Sequence, residues 1–256
     1  MLVPTILVQN EAYWLGYVLE CLRGHFHRYV IYDVGSSDGT QEIIDNFVQR
    51  ERQNAEFFVR LLPKCTPANQ GPYRNAMMAE ARSEWTFMVD GDELYTKESI
   101  EVIKGFVPTL QKYHDKDGLL YGIVPRHEVQ ADLRSAYGVG EMVPHHRLYH
   151  RTAIFGGPHP NEYQLYPGRP GNQMWLPKTA VCWHFHGALR SPKDAETHGR
   201  LDRKKKPTYL RGTQKNIDIL KELPILRNPV NLAGERVPFP VTPALKLLQE
   251  EYMAKR

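Results

Sequence analysis

The fold of this chain is decided by one short stretch, Trp85-Thr86-Phe87-Met88-Val89-Asp90-Gly91-Asp92-Glu93. Its first five residues are mostly apolar and show no polar alternation, which predicts a buried strand. Three carboxylates follow this strand, interrupted by one glycine. Ligands of open α/β sheets bind at the carboxyl ends of the strands, so the sequence predicts that this acidic cluster lies at a ligand-binding edge.

Asp90 and Asp92 are suited to hold a divalent cation. Residues two apart on an extended chain point the same way, so their carboxylates can converge, and Gly91 leaves room for a close approach. Oxygen ligands of this kind, with Glu93 beside them, suit Mg²⁺ or Mn²⁺ carrying substrate phosphates. The alternative interpretation is an acidic turn after a core strand.

Apolar runs and helical patterns alternate before this stretch. Strands are predicted at Leu2–Val8, Tyr29–Tyr32, Phe57–Leu62 and Trp85–Val89, with helical patterns at Tyr13–Cys21, Gln41–Gln49 and Asn69–Arg82. This alternation indicates βαβ units and a mainly parallel, Rossmann-like sheet flanked by helices. Right-handed crossovers place the carboxyl ends of these strands at one edge, with the polar residues Asn10, Glu11, Asp33 and Lys64 beside the acidic cluster.

Local signals predict where the helices begin and where one is broken. Asn10 is expected to cap the first helix, and Asp38 or Thr40 the second. The pattern Ser99–Tyr113 predicts an amphipathic helix interrupted near Pro108. Further strands are predicted at Leu119–Val124, Arg147–His150 and Thr179–Phe185.

The composition indicates an ordinary globular protein. Of its 256 residues, 41% are hydrophobic and 24% charged, and the net charge is only +4. No apolar run approaches the roughly 20 residues that span a bilayer, and we expect no signal peptide. Three scattered cysteines favour a reducing compartment over a disulfide framework, so we expect a cytoplasmic protein.

Four motifs follow one another within roughly the first hundred residues. They are Val8-Gln9-Asn10-Glu11, the loop Asp33-Val34-Gly35-Ser36-Ser37-Asp38-Gly39-Thr40, Tyr73-Arg74-Asn75-Ala76 and Asp90-Gly91-Asp92-Glu93. In this order they resemble the motifs of the family-2 glycosyltransferases with the GT-A fold. A later segment, His146-Arg147-Leu148-Tyr149 with Gly156-Gly157 and Glu162, is similar to that family's Arg-then-Gly-then-His-Glu segment. It departs from the pattern because Pro160 and Asn161 separate His159 from Glu162.

The resemblance implies a division of the chain. Residues 1–199 would form the GT-A domain, with the nucleotide-sugar half at 1–126 and the acceptor half at 127–199. Residues 200–256 would form a basic, Pro-containing helical extension.

The resemblance also implies a reaction, namely transfer of a sugar from a nucleotide-diphosphate donor to an acceptor hydroxyl with inversion. A Mn²⁺ or Mg²⁺ ion would stabilise the departing diphosphate. Asp92 is expected to bind this ion, and Asp90 to bind the ion or the donor ribose. A downstream histidine, His186 or His184, would complete the site or contact the diphosphate. Glu93 would support the ligands or orient the sugar, or else be a solvated carboxylate.

The donor and the proton acceptor have their own candidates. Asn10 and Glu11 are expected near the nucleoside, and Arg74 near the diphosphate or Asp90. Asp33 can accept a hydrogen bond from the ring N–H of uracil or guanine, and a UDP-sugar is the expected donor. The general base is expected to be Glu162, with Glu141 and Asp132 as alternatives.

The acceptor stays open between a glycan, a lipid-linked glycan, a protein and DNA. The basic run Arg200–Lys206 and a pI of about 8.8 motivate an alternative enzyme that glycosylates modified DNA bases. A nucleotidyltransferase is disfavoured because Val3–Asn10 contains no glycine for a phosphate loop. A non-catalytic binding module would leave the carboxylate cluster unused.

Overall fold

The structure is a computed structural model, and it describes residues 1–129, 136–138, 145–156, 173–185, 190–191 and 193. The helices are α1 (Leu15–Leu22), α2 (Thr40–Glu51), α3 (Pro67–Ala81) and α4 (Lys97–Asp117). The strands are β1 (Leu2–Val8), β2 (Arg28–Val34), β3 (Glu56–Leu62), β4 (Trp85–Val89), β5 (Glu93–Tyr95), β6 (Tyr121–Ile123), β7 (Arg126–Val129), β8 (Ala136–Gly138), β9 (His146–His150), β10 (Gln173–Trp175) and β11 (Cys182–His184).

The larger sheet has seven strands in the order β3-β2-β1-β4-β9-β6-β10. Strands β1 to β4 run parallel, and β6 and β10 run parallel to each other. Strand β9 lies antiparallel to β4 on one side and to β6 on the other. The predicted mainly parallel sheet, built from βαβ units, is therefore confirmed.

The carboxyl ends of the central strands meet at one edge. Val8 of β1 pairs with Asp33 of β2, and Ile6 pairs with Val89 of β4. The residues that follow these strands are therefore neighbours, and they include Asn10, Glu11 and Asp90. This is the edge on which the sequence predicted a ligand site.

Both faces of the sheet are covered, which explains the unbroken apolar runs. On one face, Ile6 and Ile31 pack with α1 and α4 in the main core. On the other face, Val30 and Tyr32 pack with Met77 of α3. The alternation along β2 follows the period of two expected for a strand.

A second sheet has the strand order β5-β11-β7-β8, and its strand β5 includes the last residue of the acidic stretch. Strand β5 begins at Glu93, which pairs antiparallel with His184 of β11. The backbone N–H of Phe185 donates to the carbonyl of Asp92 at 2.9 Å. This sheet therefore fixes the late histidine beside the acidic cluster.

Three local predictions differ from the structure. Asn10 has a left-handed φ of 53° and does not cap α1, which begins at Leu15 after Trp14. The N-cap of α2 is Gly39, although Asp38 Oδ1 still accepts the Thr40 N–H at 3.0 Å. Helix α4 passes through Pro108 without interruption, since its buried face packs in the main core.

Among the described residues, no helix is long and apolar enough to cross a membrane.

Candidate active site

A turn joins β4 to β5 and carries the three carboxylates. The N–H of Glu93 donates to the carbonyl of Asp90 at 3.2 Å, and the N–H of Asp90 donates to Glu93 Oε2 at 3.2 Å. The chain therefore bends where the sequence analysis assumed an extended strand. As a result, the three carboxylates have different partners.

Asp90 lies between two buried arginines. Arg147 Nη2 donates to Asp90 Oδ2 at 2.7 Å, and Arg74 Nη2 donates to Asp90 Oδ1 at 3.3 Å. Burial alone would raise the pKa of Asp90, but the guanidinium groups of Arg147 and Arg74 outweigh it and hold this pKa well below its usual range. Arg74 therefore reaches Asp90, one of the two partners predicted for it.

Glu93 is 0% exposed and is saturated with donors. Arg147 Nε donates to both of its oxygens at 2.8 and 2.9 Å, and Tyr95 Oη donates to Oε2 at 3.0 Å. His145 Nε2 lies 2.7 Å from Oε1. The structure thus excludes a solvated Glu93 and places it behind Asp90, sharing Arg147 with it.

The ring of His145 has a defined proton position. Its Nδ1 lies 2.8 Å from Arg126 Nη1, which can only donate, so Nδ1 accepts and Nε2 carries the proton toward Glu93. Burial, with the neighbouring charge of Arg147, lowers the pKa of His145 well below its usual range. A neutral imidazole therefore links Arg126 to Glu93.

Asp92 has a different environment. It is 1% exposed, and both of its carboxylate oxygens are buried without a hydrogen bond to any described residue. His184 Nε2 lies 3.5 Å from Asp92 Oδ2, and the guanidinium of Arg190 contacts the same oxygen as an ion pair. Asp92 thus faces His184 and Arg190 through Oδ2, while its buried Oδ1 has no hydrogen bond among the described residues and is available to a cation.

Glu11 joins the first motif to this centre. Its side chain packs on Gly91, and its Oε1 accepts a hydrogen bond from Arg190 Nη1 at 3.2 Å. Its backbone N–H donates to Thr40 Oγ1 at 2.8 Å. The close approach that Gly91 permits is therefore made by Glu11.

Asn10 connects the end of β1 to the loop after β2. Its backbone N–H donates to Ser36 Oγ at 2.8 Å, and its Oδ1 accepts the N–H of Ser37 at 2.9 Å. These contacts, rather than a helix cap, account for its buried amide. Asn10 therefore fixes the end of β1 against Ser36 and Ser37 in the loop after β2.

Asp33 ends β2 at the same edge and is 0% exposed. Its Oδ1 accepts the Ser36 N–H at 3.0 Å, and its Oδ2 has no hydrogen bond of ordinary geometry among the described residues. Burial raises the pKa of Asp33. Gly35, at φ +81°, is required here because a Cβ would come within 2.9 Å of Lys64 Cα.

The charges divide the site into two parts. Asp90 pairs with Arg74 and Arg147, and Glu93 pairs with Arg147, so two guanidinium groups balance these two carboxylates. Asp92 and Glu11 are both buried, and both contact the guanidinium of Arg190. The carboxylate oxygens of Asp92 and the imidazole of His184 form a donor set that fits Mn²⁺ or Mg²⁺.

A second group of potential ligands lies behind the site. The ligand atoms of Glu93, His145 and Cys182 lie within 4.8 Å of one another. Glu93 is already bonded to Arg147, and His145 is bonded through both ring nitrogens. The nearby guanidinium groups oppose a further cation, so we interpret this group as a hydrogen-bonded support.

Several predicted residues lie outside the described part of the chain. They are the base candidates Glu162, Glu141 and Asp132, the histidine His186, and the basic run 200–206. Of the two histidines considered, His184 is described and lies next to Asp92.

Arg147 and His145 make site contacts that were not predicted from the sequence. Arg147 belongs to the motif His146-Arg147-Leu148-Tyr149, which resembles a segment of the family, so the sequence did contain a signal for it. His145 had no such signal, because its role depends on Arg126 and Glu93 from other strands. Arg190 lies just after the histidine pair in the sequence, a position that predicts a contact with phosphate.

Comparisons with known proteins place this geometry in a family. The model of "Glycosyl transferase family 2" matches residues 5–194. An uncharacterized glycosyltransferase of Haemophilus influenzae is 28% identical over 95 residues, which cover 36% of this chain and 35% of that protein. The chain therefore spans about a third of that relative's length.

Solved structures show more distant similarity. S. aureus TarS 1–349 in complex with UDP is 14% identical, with 87% of this chain and 71% of that chain covered and a TM-score of 0.48. The mannosyltransferase PcManGT from Pyrobaculum calidifontis, in complex with GDP-Man and Mn²⁺, is 13% identical, with 97% and 68% covered and a TM-score of 0.46. Since the family model covers well over half of the 256 residues, the resemblance inferred from the motifs is confirmed, and the chain belongs to glycosyl transferase family 2, with the GT-A fold.

Proposed function

We propose that this chain transfers a sugar from a nucleotide-diphosphate donor to an acceptor hydroxyl with inversion, using Mn²⁺ or Mg²⁺ held by Asp92 and His184. Membership of the family supports the reaction class. The observation that carries the metal assignment is the pair of buried Asp92 oxygens that lack hydrogen bonds among the described residues, with His184 Nε2 at 3.5 Å. The guanidinium of Arg190 contacts Oδ2, so the buried Oδ1 is the oxygen that most directly supports a cation here.

A cation at Asp92 would supply positive charge to the diphosphate as it leaves. The surrounding residues hold that ligand in place. Glu11 packs on Gly91, the backbone of Phe185 bonds to Asp92, and Arg147 ties Asp90 to Glu93. In this proposal Asp90 is a fixed anion near the ribose, and Asp92 is the principal ligand.

We propose a UDP-sugar as the donor, with a GDP-sugar as the alternative that the experiment separates. Asp33 supports a nucleobase contact because its buried Oδ2 lacks a hydrogen bond of ordinary geometry among the described residues. A ring N–H of uracil or guanine would supply that bond. Asn10 orders the adjoining Ser36 and Ser37.

The acceptor half remains a proposal. Glu162 as general base, with Glu141 and Asp132 as alternatives, and the boundaries at 126/127 and 199/200 stay predictions. A glycan, a lipid-linked glycan or a protein is the proposed acceptor, and a cytoplasmic location stays a prediction. The DNA alternative rests on the basic run 200–206, which lies outside the described residues, and on the pI of about 8.8, so no contact among the described residues favours it.

A thermal-shift screen tests the donor and the metal together. The chain is heated with UDP, GDP or ADP, each in Mn²⁺ and in EDTA. We expect UDP to raise the melting temperature in Mn²⁺ and to have little effect in EDTA, since a ligand that binds only the native state stabilises it. Equal stabilisation in EDTA would refute the metal assignment, and no response to any nucleotide would refute the donor class.

A further inference from the structure

Arg190 occupies the place between the two buried carboxylates that a cation would take. Its Nη1 donates to Glu11 Oε1 at 3.2 Å, and its Nη2 contacts Asp92 Oδ2. That oxygen of Asp92 is also the one nearest His184 Nε2. The guanidinium thus faces the same atoms that we assign to the metal.

The backbone around Arg190 is anchored to the first motifs. The carbonyl of Arg190 accepts the Tyr13 N–H at 3.0 Å. The hydroxyl of Ser191 donates to Asp38 Oδ2, which also accepts the Ala12 N–H at 3.1 Å. The side chain of Arg190 can therefore leave the carboxylates while its backbone stays attached.

Charge explains why the arginine and a metal would exclude each other. Glu11 and Asp92 carry two negative charges, and the guanidinium of Arg190 that contacts both carries one positive charge. A divalent cation would neutralise both, but a guanidinium held beside it would repel it strongly in so buried a place. In contrast, Asp90 contacts two arginines, Arg74 and Arg147, and Glu93 contacts Arg147.

We propose that Arg190 is a built-in competitor of the divalent cation, which pairs with Asp92 and Glu11 when no metal is bound and is displaced when the metal enters. The proposal rests on the proposed function in one respect, namely that Asp92 binds the metal. It assigns to Arg190 the task of lowering the affinity for free metal. It also predicts that metal binding changes the surroundings of Arg190.

The test measures Mn²⁺ binding without nucleotide, by the electron paramagnetic resonance signal of free Mn²⁺. Arg190→Gln removes the charge and keeps a polar side chain, and Arg190→Lys keeps the charge. We expect Arg190→Gln to bind Mn²⁺ about five- to tenfold more tightly than wild type, a coupling typical of linked sites. Arg190→Lys should lie closer to wild type, since its ammonium still competes.

Arg151→Gln is the matched control, because Arg151 is 62% exposed and pairs with the exposed Glu84. Its Mn²⁺ affinity should equal that of wild type. Thermal melts without metal identify any variant that is not folded, in which case Arg190→Lys and wild type are compared instead by Mn²⁺ titration at increasing salt. If wild type binds Mn²⁺ and Arg190→Gln binds it equally or more weakly, the competition is refuted while the metal site stands. If neither binds Mn²⁺, both proposals fail.

Discussion

The side chain of Glu11 lies against the backbone of Gly91, so closely that a Cβ atom at position 91 would come within 2.5 Å of Glu11 Cγ. This contact joins the motif after β1 to the motif after β4. It also explains why the acidic motif contains glycine, since Glu11 is 4% exposed and has little space to retreat. The requirement is steric.

Gly91→Ala is therefore expected to displace Glu11 and to lower the free energy of unfolding by about 1–3 kcal/mol, as overpacking does. Urea denaturation measures this. Gly105→Ala is the matched control, because Gly105 lies within α4 and a Cβ there meets no atom within 4 Å. The control should gain up to about 1 kcal/mol from helix propensity. Equal effects of the two substitutions would contradict the contact.

Asp33→Asn tests the nucleobase contact. Asparagine keeps an oxygen for the Ser36 N–H but replaces the acceptor Oδ2 by a donor. We expect UDP affinity to fall by about tenfold to a hundredfold, because a donor would face the ring N–H. Isothermal titration calorimetry measures the loss, and unchanged affinity would remove Asp33 from the donor site.

The difference in stability between Asp33→Asn and wild type should depend on pH. Burial raises the pKa of Asp33 in the folded chain, so the ionised carboxylate destabilises the fold at neutral pH. Its cost disappears as the pH falls through the raised folded pKa toward the unfolded value. Asp33→Asn should therefore melt at or above the wild-type temperature at pH 7, and the difference should shrink toward pH 4. A difference that grows toward low pH would contradict the assigned direction.

Arg147→Lys tests the support behind Asp90. Arg147 binds Glu93 through both Nε and Nη2 and binds Asp90 through Nη2, whereas a lysine has one nitrogen and cannot reproduce all of these bonds. We expect a loss of about 2–4 kcal/mol of unfolding free energy, because Glu93 is left buried and under-bonded. Arg151→Lys, on an exposed side chain, should change stability by less than about 0.5 kcal/mol. Comparable losses in both variants would refute the role of Arg147.

Replacing Asp90 by asparagine should lower the stability of the fold more than replacing Asp92 by asparagine. Asp90→Asn leaves Arg74 and Arg147 without their shared carboxylate, so we expect a loss of about 1–3 kcal/mol, moderated by partial exposure of Asp90. Asp92→Asn removes one of the two buried carboxylates that contact Arg190 and leaves Glu11 as a partner of that guanidinium, so stability should stay within about 1 kcal/mol. Chemical denaturation of the two variants side by side gives the answer, and the reverse order would contradict the division of charges.

The parts of the fold that depend on local pattern could be predicted from the sequence. Strand β4 matches the predicted range because a strand buried on both faces is a continuous apolar run. Strand β5 could not be predicted, since three residues carry no periodicity and its partner β11 lies far along the chain. The prediction that Asn10 caps a helix is wrong because its partners, Ser36 and Ser37, come from another loop.

The candidate site, like the fold, could be predicted where it depends on local pattern and element order. The polar residues after β1, β2 and β4 could be placed at one edge from the order of the elements alone. The carboxylate whose charge is balanced by an arginine could not be predicted, because Arg147 reaches Asp90 only through the antiparallel pairing of β9 with β4. Sequence spacing made Asp90 and Asp92 equivalent, whereas the turn after Val89 gives them different partners.

The central claim is that Asp92 holds the metal that binds the donor, and calorimetric titration of UDP into wild type and Asp92→Asn, each with and without Mn²⁺, tests it most directly. We expect wild type to bind UDP at least about tenfold more tightly with Mn²⁺, and Asp92→Asn to show no such gain while it remains folded. A gain from Mn²⁺ in Asp92→Asn equal to that of wild type would contradict the claim.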